Sequence, residues 1–167
     1  MNALIVYDSK FGNTERIARA IAGRLGSARL IRAEEAGALG RTECDLLIVA
    51  GPTQRHGASP AMQEWLERIP RGTFKDVPAA TFDTRYRMSP LLSGSAAARI
   101  ESRLKRAGAR LVVPPESFFM ERDVPPQGEK RRHEMERLEP GEEERAAEWA
   151  AIILERMGAA REPGRSR

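Results

Sequence analysis

Within the eight positions Tyr7-Asp8-Ser9-Lys10-Phe11-Gly12-Asn13-Thr14, the chain gathers two aliphatic hydroxyls, an amide, a cation and a glycine. Groups of this kind hold an anion. Ser9 and Thr14 can donate through O–H, and Gly12 lets a backbone approach a ligand closely. Lys10 can lend charge or point to solvent. The apolar run Ala3-Leu4-Ile5-Val6 precedes them, and Ile17, Ala18, Ala20, Ile21 and Leu25 follow at helical spacing. The pattern is that of a buried strand, a short loop and an amphipathic helix. The first N–H groups of such a helix point outward, and its dipole favours negative charge there. From the loop alone two readings stand side by side: a phosphate cradle, or an ordinary turn capped by Asn13 or Thr14. Neither G-x-x-x-x-G-K-S/T nor G-x-G-x-x-G is present, so this is not the loop of a triphosphate- or dinucleotide-binding motif.

The elements that must position these residues can be followed down the chain. A strand is expected over Ala3 to Tyr7 and a helix over Asn13 to Leu25, ended by Gly26. Ala28 to Arg32 alternates weakly, as an edge strand does. Asp45 to Ala50 is continuously apolar, as a central parallel strand is. Gly51-Pro52-Thr53 stops it. Ser59 and Pro60 then suit the cap and first turn of a second helix, reaching about Ile69. A fourth strand is expected over Val77 to Asp83, followed by a long loop from Thr84 to Ser93. A third helix covers about Ser95 to Ala107, with Ser93-Gly94-Ser95 before it read as a cap. Arg110 to Val113 gives a fifth strand, broken by Pro114-Pro115. Glu116 to Glu121 is its resumption or a short added strand. Phe118 and Phe119 point to opposite faces if extended, so one belongs to the core. Residues 122–138 form a polar, charged excursion. The last helix is expected over Glu142 to Met157, with residues 158–167 as a tail. Trp65 and Trp149 lie on core-facing helix stripes. Alternating strands and helices argue a parallel sheet covered on both faces.

Composition bounds the function. A chain of 167 residues, 41% hydrophobic, is expected to form one domain with a full core. No apolar run approaches the roughly 20 residues that span a bilayer, so no membrane association is expected. The first strand begins at once, with no basic flank of the kind a secretory leader carries. A single cysteine, Cys44, excludes an internal disulfide and fits a reducing cytoplasm. One Cys and the widely separated His56 and His133 suggest no metal site. The net charge of +4 is spread along helices with Glu interleaved, as in Arg99-Glu101-Arg103-Lys105-Arg106, which reads as a solvated face and not a nucleic-acid surface. No nucleophile–base pair emerges, so any chemistry must come from a cofactor.

The first loop resembles the opening loop of flavodoxins, which surrounds the phosphate of flavin mononucleotide (FMN). Ser9, Gly12, Asn13 and Thr14 match that pattern position by position; Lys10 and Phe11 lie between them. The resemblance covers about residues 1–157. It implies an α/β, three-layer fold with a five-stranded parallel sheet in the order 2-1-3-4-5 and helices on both faces. Ligands then bind beyond the carboxyl ends of strands 1 and 3, where the order reverses. Two further loops leave that edge. Pro52-Thr53-Gln54-Arg55-His56-Gly57 resembles the segment that grips one side of the isoalloxazine ring. His56 stands where an aromatic often stacks, Thr53 is placed to donate, and the Gly57 peptide is placed to offer its carbonyl to the reduced ring. Asp83-Thr84-Arg85-Tyr86 resembles the second ring loop, with Tyr86 suited to lie on the flavin. The Cys-Gly-Asp of many flavodoxins is missing here, and Thr84 and Arg85 stand in its place.

The resemblance implies a cytoplasmic electron carrier with FMN as cofactor and a redox protein as partner, its oligomeric state open. The basic charge departs from the acidic character common in the family. Two other roles fit the same residues. One is an FMN-dependent NAD(P)H:quinone-type reductase. The other is a flavin-free interaction module that keeps the fold.

Overall fold

A computed structural model describes residues 1–37, 39, 44–54, 57–87, 94–121 and 137–161. Six strands of the described residues form one parallel sheet: β1 (Ala3–Tyr7), β2 (Ala28–Arg32), β3 (Leu46–Pro52), β4 (Pro78–Tyr86), β5 (Arg110–Leu111) and β6 (Glu116–Met120). Among the described residues four helices cover it: α1 (Asn13–Leu25), α2 (Pro60–Glu67), α3 (Ala96–Arg106) and α4 (Glu142–Arg161). The strand order is β2-β1-β3-β4-β5, with β6 also paired to β4.

The central strands are apolar throughout because both their faces are covered. Along β1, Ala3, Ile5 and Tyr7 pack toward α1 and α4, while Leu4 and Val6 pack toward α2 and α3. The first layer is closed by the edge-to-face rings of Phe82, Phe118 and Trp149, with centroids 5.4–6.1 Å apart. Trp65, Phe74 and Ile100 fill the second. Both tryptophans are core residues, as expected. Phe118 is fully buried and Phe119 half-buried, on opposite faces as strand alternation requires.

The fifth strand resumes after its break. β5 pairs with the start of β4 at Pro78 and Ala79, and β6 pairs with its end, from Phe82 to Tyr86. Pro114-Pro115 removes two N–H donors between them, which interrupts the ladder without ending it. Pairing with β3 takes β4 to Thr84, and this second pairing carries it on to Tyr86, so Thr84, Arg85 and Tyr86 are strand and not loop. Beyond β6 the chain is pinned where residues 122–136, which lie outside the described residues, leave and return. Met120 bridges Leu138, Glu121 N–H donates to the Arg137 carbonyl at 2.8 Å, and Glu139 N–H to the Phe119 carbonyl at 2.9 Å. α4 continues past Met157 to Arg161.

Candidate functional site

Three strand ends converge where the order reverses. Asp8 N–H extends the β1–β3 ladder to the Ala50 carbonyl at 3.0 Å, and Thr53 N–H extends β3–β4 to the Thr84 carbonyl at 3.0 Å. The loops that follow enclose a cavity of about 240 Å³. Ser9, Lys10, Phe11, Asn13 and Thr14 line it from the first loop, Pro52, Thr53 and Gln54 from the second, and Thr84, Tyr86 and Met120 from β4 and β6.

At the start of α1, Gly12 is the cap, at φ 85° and ψ −13°, with no side chain to cover the helix end. A Cβ placed there would meet nothing within 4 Å, so the backbone faces open space. Ser9 is buried, and its Oγ accepts Glu15 N–H at 3.3 Å, which leaves the hydroxyl proton to donate elsewhere. Thr14 and Thr84 are both buried, with their hydroxyl oxygens 2.8 Å apart. One proton serves that bond; the other remains for a third group. Asn13 gives its amide to the Met120 thioether at 3.4 Å, a weak acceptor. Lys10 is exposed and lies 5.0 Å from the Phe11 ring centre.

Arg32, on the edge strand, braces the loop from behind. It donates to the Ser9 carbonyl at 3.3 Å and to Glu15 Oε2 at 2.8 Å. The hydrogen bond from Arg19 and the charge of Arg32 hold the Glu15 carboxyl below the usual range. Burial, then the Glu15 charge, pushes the Tyr7 hydroxyl up. Sequence reasoning missed Arg32 and Met120. Both reach the loop through strand pairing, and the alternation of β2 and β6 was the one local signal.

Strand alternation splits the second predicted set. Thr84 and Tyr86 face the cavity. Asp83 and Arg85 lie on the other face, over the start of α3. Asp83 is fully buried, and its Oδ2 accepts from Thr53 Oγ1 at 2.9 Å, Ser95 Oγ at 2.8 Å and Ala97 N–H at 3.2 Å. Its Oδ1 is buried with no partner among the described residues. The Thr53 hydroxyl also accepts Ala96 N–H at 3.0 Å, so its proton is spent on Asp83. Arg85 donates to the Gly94 carbonyl at 2.9 Å. Arg55 and His56 lie outside the described residues. Gly57 exchanges two backbone bonds with Gln54, at 2.8 and 2.9 Å. A Cβ on Gly57 would fall 2.8 Å from Arg99 Cδ, so close approach of that side chain is one reason for glycine here.

Burial raises the Cys44 thiol, which makes it a poor nucleophile. No helix among the described residues is long and apolar enough to cross a membrane.

The arrangement fits a phosphate-bearing aromatic ligand. An uncovered helix start with hydroxyl donors suits the phosphate, and Tyr86, Pro52 and Met120 give an apolar wall for a ring. Comparison with known proteins points the same way. The solved structure of oxidised flavodoxin 1 from Bacillus cereus superposes with a TM-score of 0.71 at 17% identity, covering 93% of this chain and 98% of that one. Oxidised flavodoxin 2 from the same organism gives 0.70 at 21%, covering 93% and 99%. A flavodoxin, WrbA-like protein from Agrobacterium tumefaciens gives 0.67 at 18%, covering 95% and 98%. No curated protein sequence matches the chain. The sequence model of the flavodoxin family, whose members bind FMN, matches residues 5–149, and the chain belongs to that family.

Proposed function

We propose that this protein holds FMN at the carboxyl edge of its sheet and carries electrons between redox proteins. The observation that carries the reading is the cavity at the β1–β3 reversal, walled by three separate strand ends and opening on a helix start whose cap is a bare glycine. Bound FMN supplies one- and two-electron chemistry. The chain's own residues hold and shield it. Ser9, Asn13 and the Thr14–Thr84 pair offer donors to the phosphate, and the α1 dipole favours its charge. Tyr86, Pro52 and Met120 exclude water from the ring, with Gln54 beside them. A buried phosphate needs dense donors, and this edge concentrates them.

Titration of the flavin-free protein with FMN, read by flavin fluorescence, tests the reading. The expected result is one FMN per chain bound more tightly than about 10 μM. Absence of saturable quenching overturns it. Steady consumption of NADH or NADPH by the loaded protein alone would make it a reductase and not a carrier.

A further inference from the structure

A second hollow, of about 520 Å³, lies between α2 and α3. Buried Ala58 and Leu66 give it an apolar floor, and its rim carries the exposed Ala98, with Arg99, Arg103 and Arg106 on one face of α3. The spacing i, i+4, i+7 stacks these three side chains along a single stripe. All three are exposed. Arg103 reaches Glu67 at 3.6 Å; among the described residues no carboxylate pairs with Arg99 or Arg106. Two neighbouring cations are paired locally, Arg68 with Glu64 and Lys105 with Glu101. Arg99 and Arg106 thus bring charge to the cleft that no described carboxylate offsets.

The cleft shares a wall with the candidate flavin cavity. Thr53 and Gln54 line the cavity, Ala58 lines the cleft, and the Arg99 stem lies against Gly57 between them. An occupant at the Ala58 end of the cleft lies beside the segment whose Thr53 and Gln54 line the cavity. Guanidinium forks above an apolar floor are the make-up of a protein-binding hot spot, where Arg takes carboxylates bidentately and its stem covers apolar surface.

We propose that the α2–α3 cleft docks a redox partner through an acidic face, with Arg99, Arg103 and Arg106 receiving its carboxylates beside the Gly57 segment. The proposal rests on the FMN reading for the partner's role, but the docking itself is independent of flavin. The charge is concentrated at one cleft with an apolar floor and a glutamate on its rim. A nucleic acid backbone would need a longer, unbroken stripe.

The test uses two probes, a small cytochrome of net negative charge and one of net positive charge. In the FMN-loaded, reduced protein at low salt, the variant R99Q/R103Q/R106Q should pass electrons to the acidic cytochrome about 10-fold more slowly, and the difference should vanish near 0.5 M salt. Transfer to the basic cytochrome should not fall. The variant R24Q/R29Q/R156Q removes the same charge from other faces and should change the acidic rate far less. Equal slowing by both triple variants, or equal slowing with both cytochromes, overturns the proposal. A single-stranded oligonucleotide that binds more tightly than the acidic cytochrome, and loses that binding in R99Q/R103Q/R106Q, also overturns it. Should FMN fail to bind, the flavin-free chain titrated with the acidic cytochrome, read by haem absorbance, still decides docking: saturation lost in R99Q/R103Q/R106Q supports it, and no saturation overturns it.

Discussion

Two helices begin at the same edge of this sheet and end up with opposite characters. At α3, the first three amides each meet a side-chain oxygen: Ala96 N–H meets Thr53, Ala97 N–H meets Asp83 and Ala98 N–H meets Ser95. α3 has no acidic residue in its own first turn, and the buried carboxyl of Asp83, from the neighbouring strand, stands in for one. At α1 the cap is Gly12, which offers no side chain, and Ser9 takes Glu15 N–H at a long 3.3 Å. A helix start is an anion site only where the protein leaves it to a ligand. The donors at α3 serve the fold; Ser9, Asn13 and Thr14 at α1 face the cavity.

The sharpest way to break this contrast is to remove the internal acceptor. Asp83→Ala leaves the Thr53 and Ser95 hydroxyls and the Ala97 amide facing a buried gap. The expected cost is about 2–4 kcal/mol in chemical denaturation, as when several buried donors lose one partner. FMN affinity of the folded fraction should change much less. A loss under about 1 kcal/mol would show that α3 does not depend on this residue.

At the other helix the effect should fall on binding. Thr14→Val removes one member of the Thr14–Thr84 pair and should weaken FMN by about 1–3 kcal/mol, with a smaller effect on stability. Because one spare proton serves both oxygens, Thr84→Val should weaken binding comparably, and the double variant should lose less than the sum. Isothermal titration of the four proteins checks this. Strict additivity would mean that the two hydroxyls act separately; unchanged affinity in Thr14→Val would remove it from the site.

The same contrast explains what was legible in the sequence. The first loop, its strand and its helix are contiguous, so local pattern places Ser9, Gly12, Asn13 and Thr14 together. Ser59 and Ser95 cap their helices for the same local reason, accepting Met62 and Ala98 N–H. The second ring segment was harder. Asp83 to Tyr86 is polar enough to resemble a loop; β3 pairs with it as far as Thr84, and β6, distant in sequence, carries it on through Arg85 and Tyr86. That pairing turns Thr84 and Tyr86 to the cavity and Asp83 to α3. A sequence shows that Thr53 has a hydroxyl; where its proton goes depends on a residue 30 positions away.

The gentlest probe acts behind the α1 loop. Glu15 lies in the first turn of α1, yet Arg19 and Arg32 hold its carboxylate. Its folded pKa is therefore depressed, chiefly by the Arg19 hydrogen bond. A group whose pKa is lower folded than unfolded adds stability in full above the unfolded value, about 4.3, and loses it as pH falls through the folded value. Urea midpoints from pH 7 to pH 3 should thus fall more steeply in the native chain than in Glu15→Gln, and the two curves should converge at the acid end. The gap at pH 7 should be smaller than either effect above, because Arg19 is largely exposed. FMN affinity at pH 7 should move little, since the carboxylate is engaged by two arginines and does not line the cavity. Parallel midpoint curves for the two proteins would mean that Glu15 is equally charged in folded and unfolded chains, and that Arg32 braces Ser9 without its help.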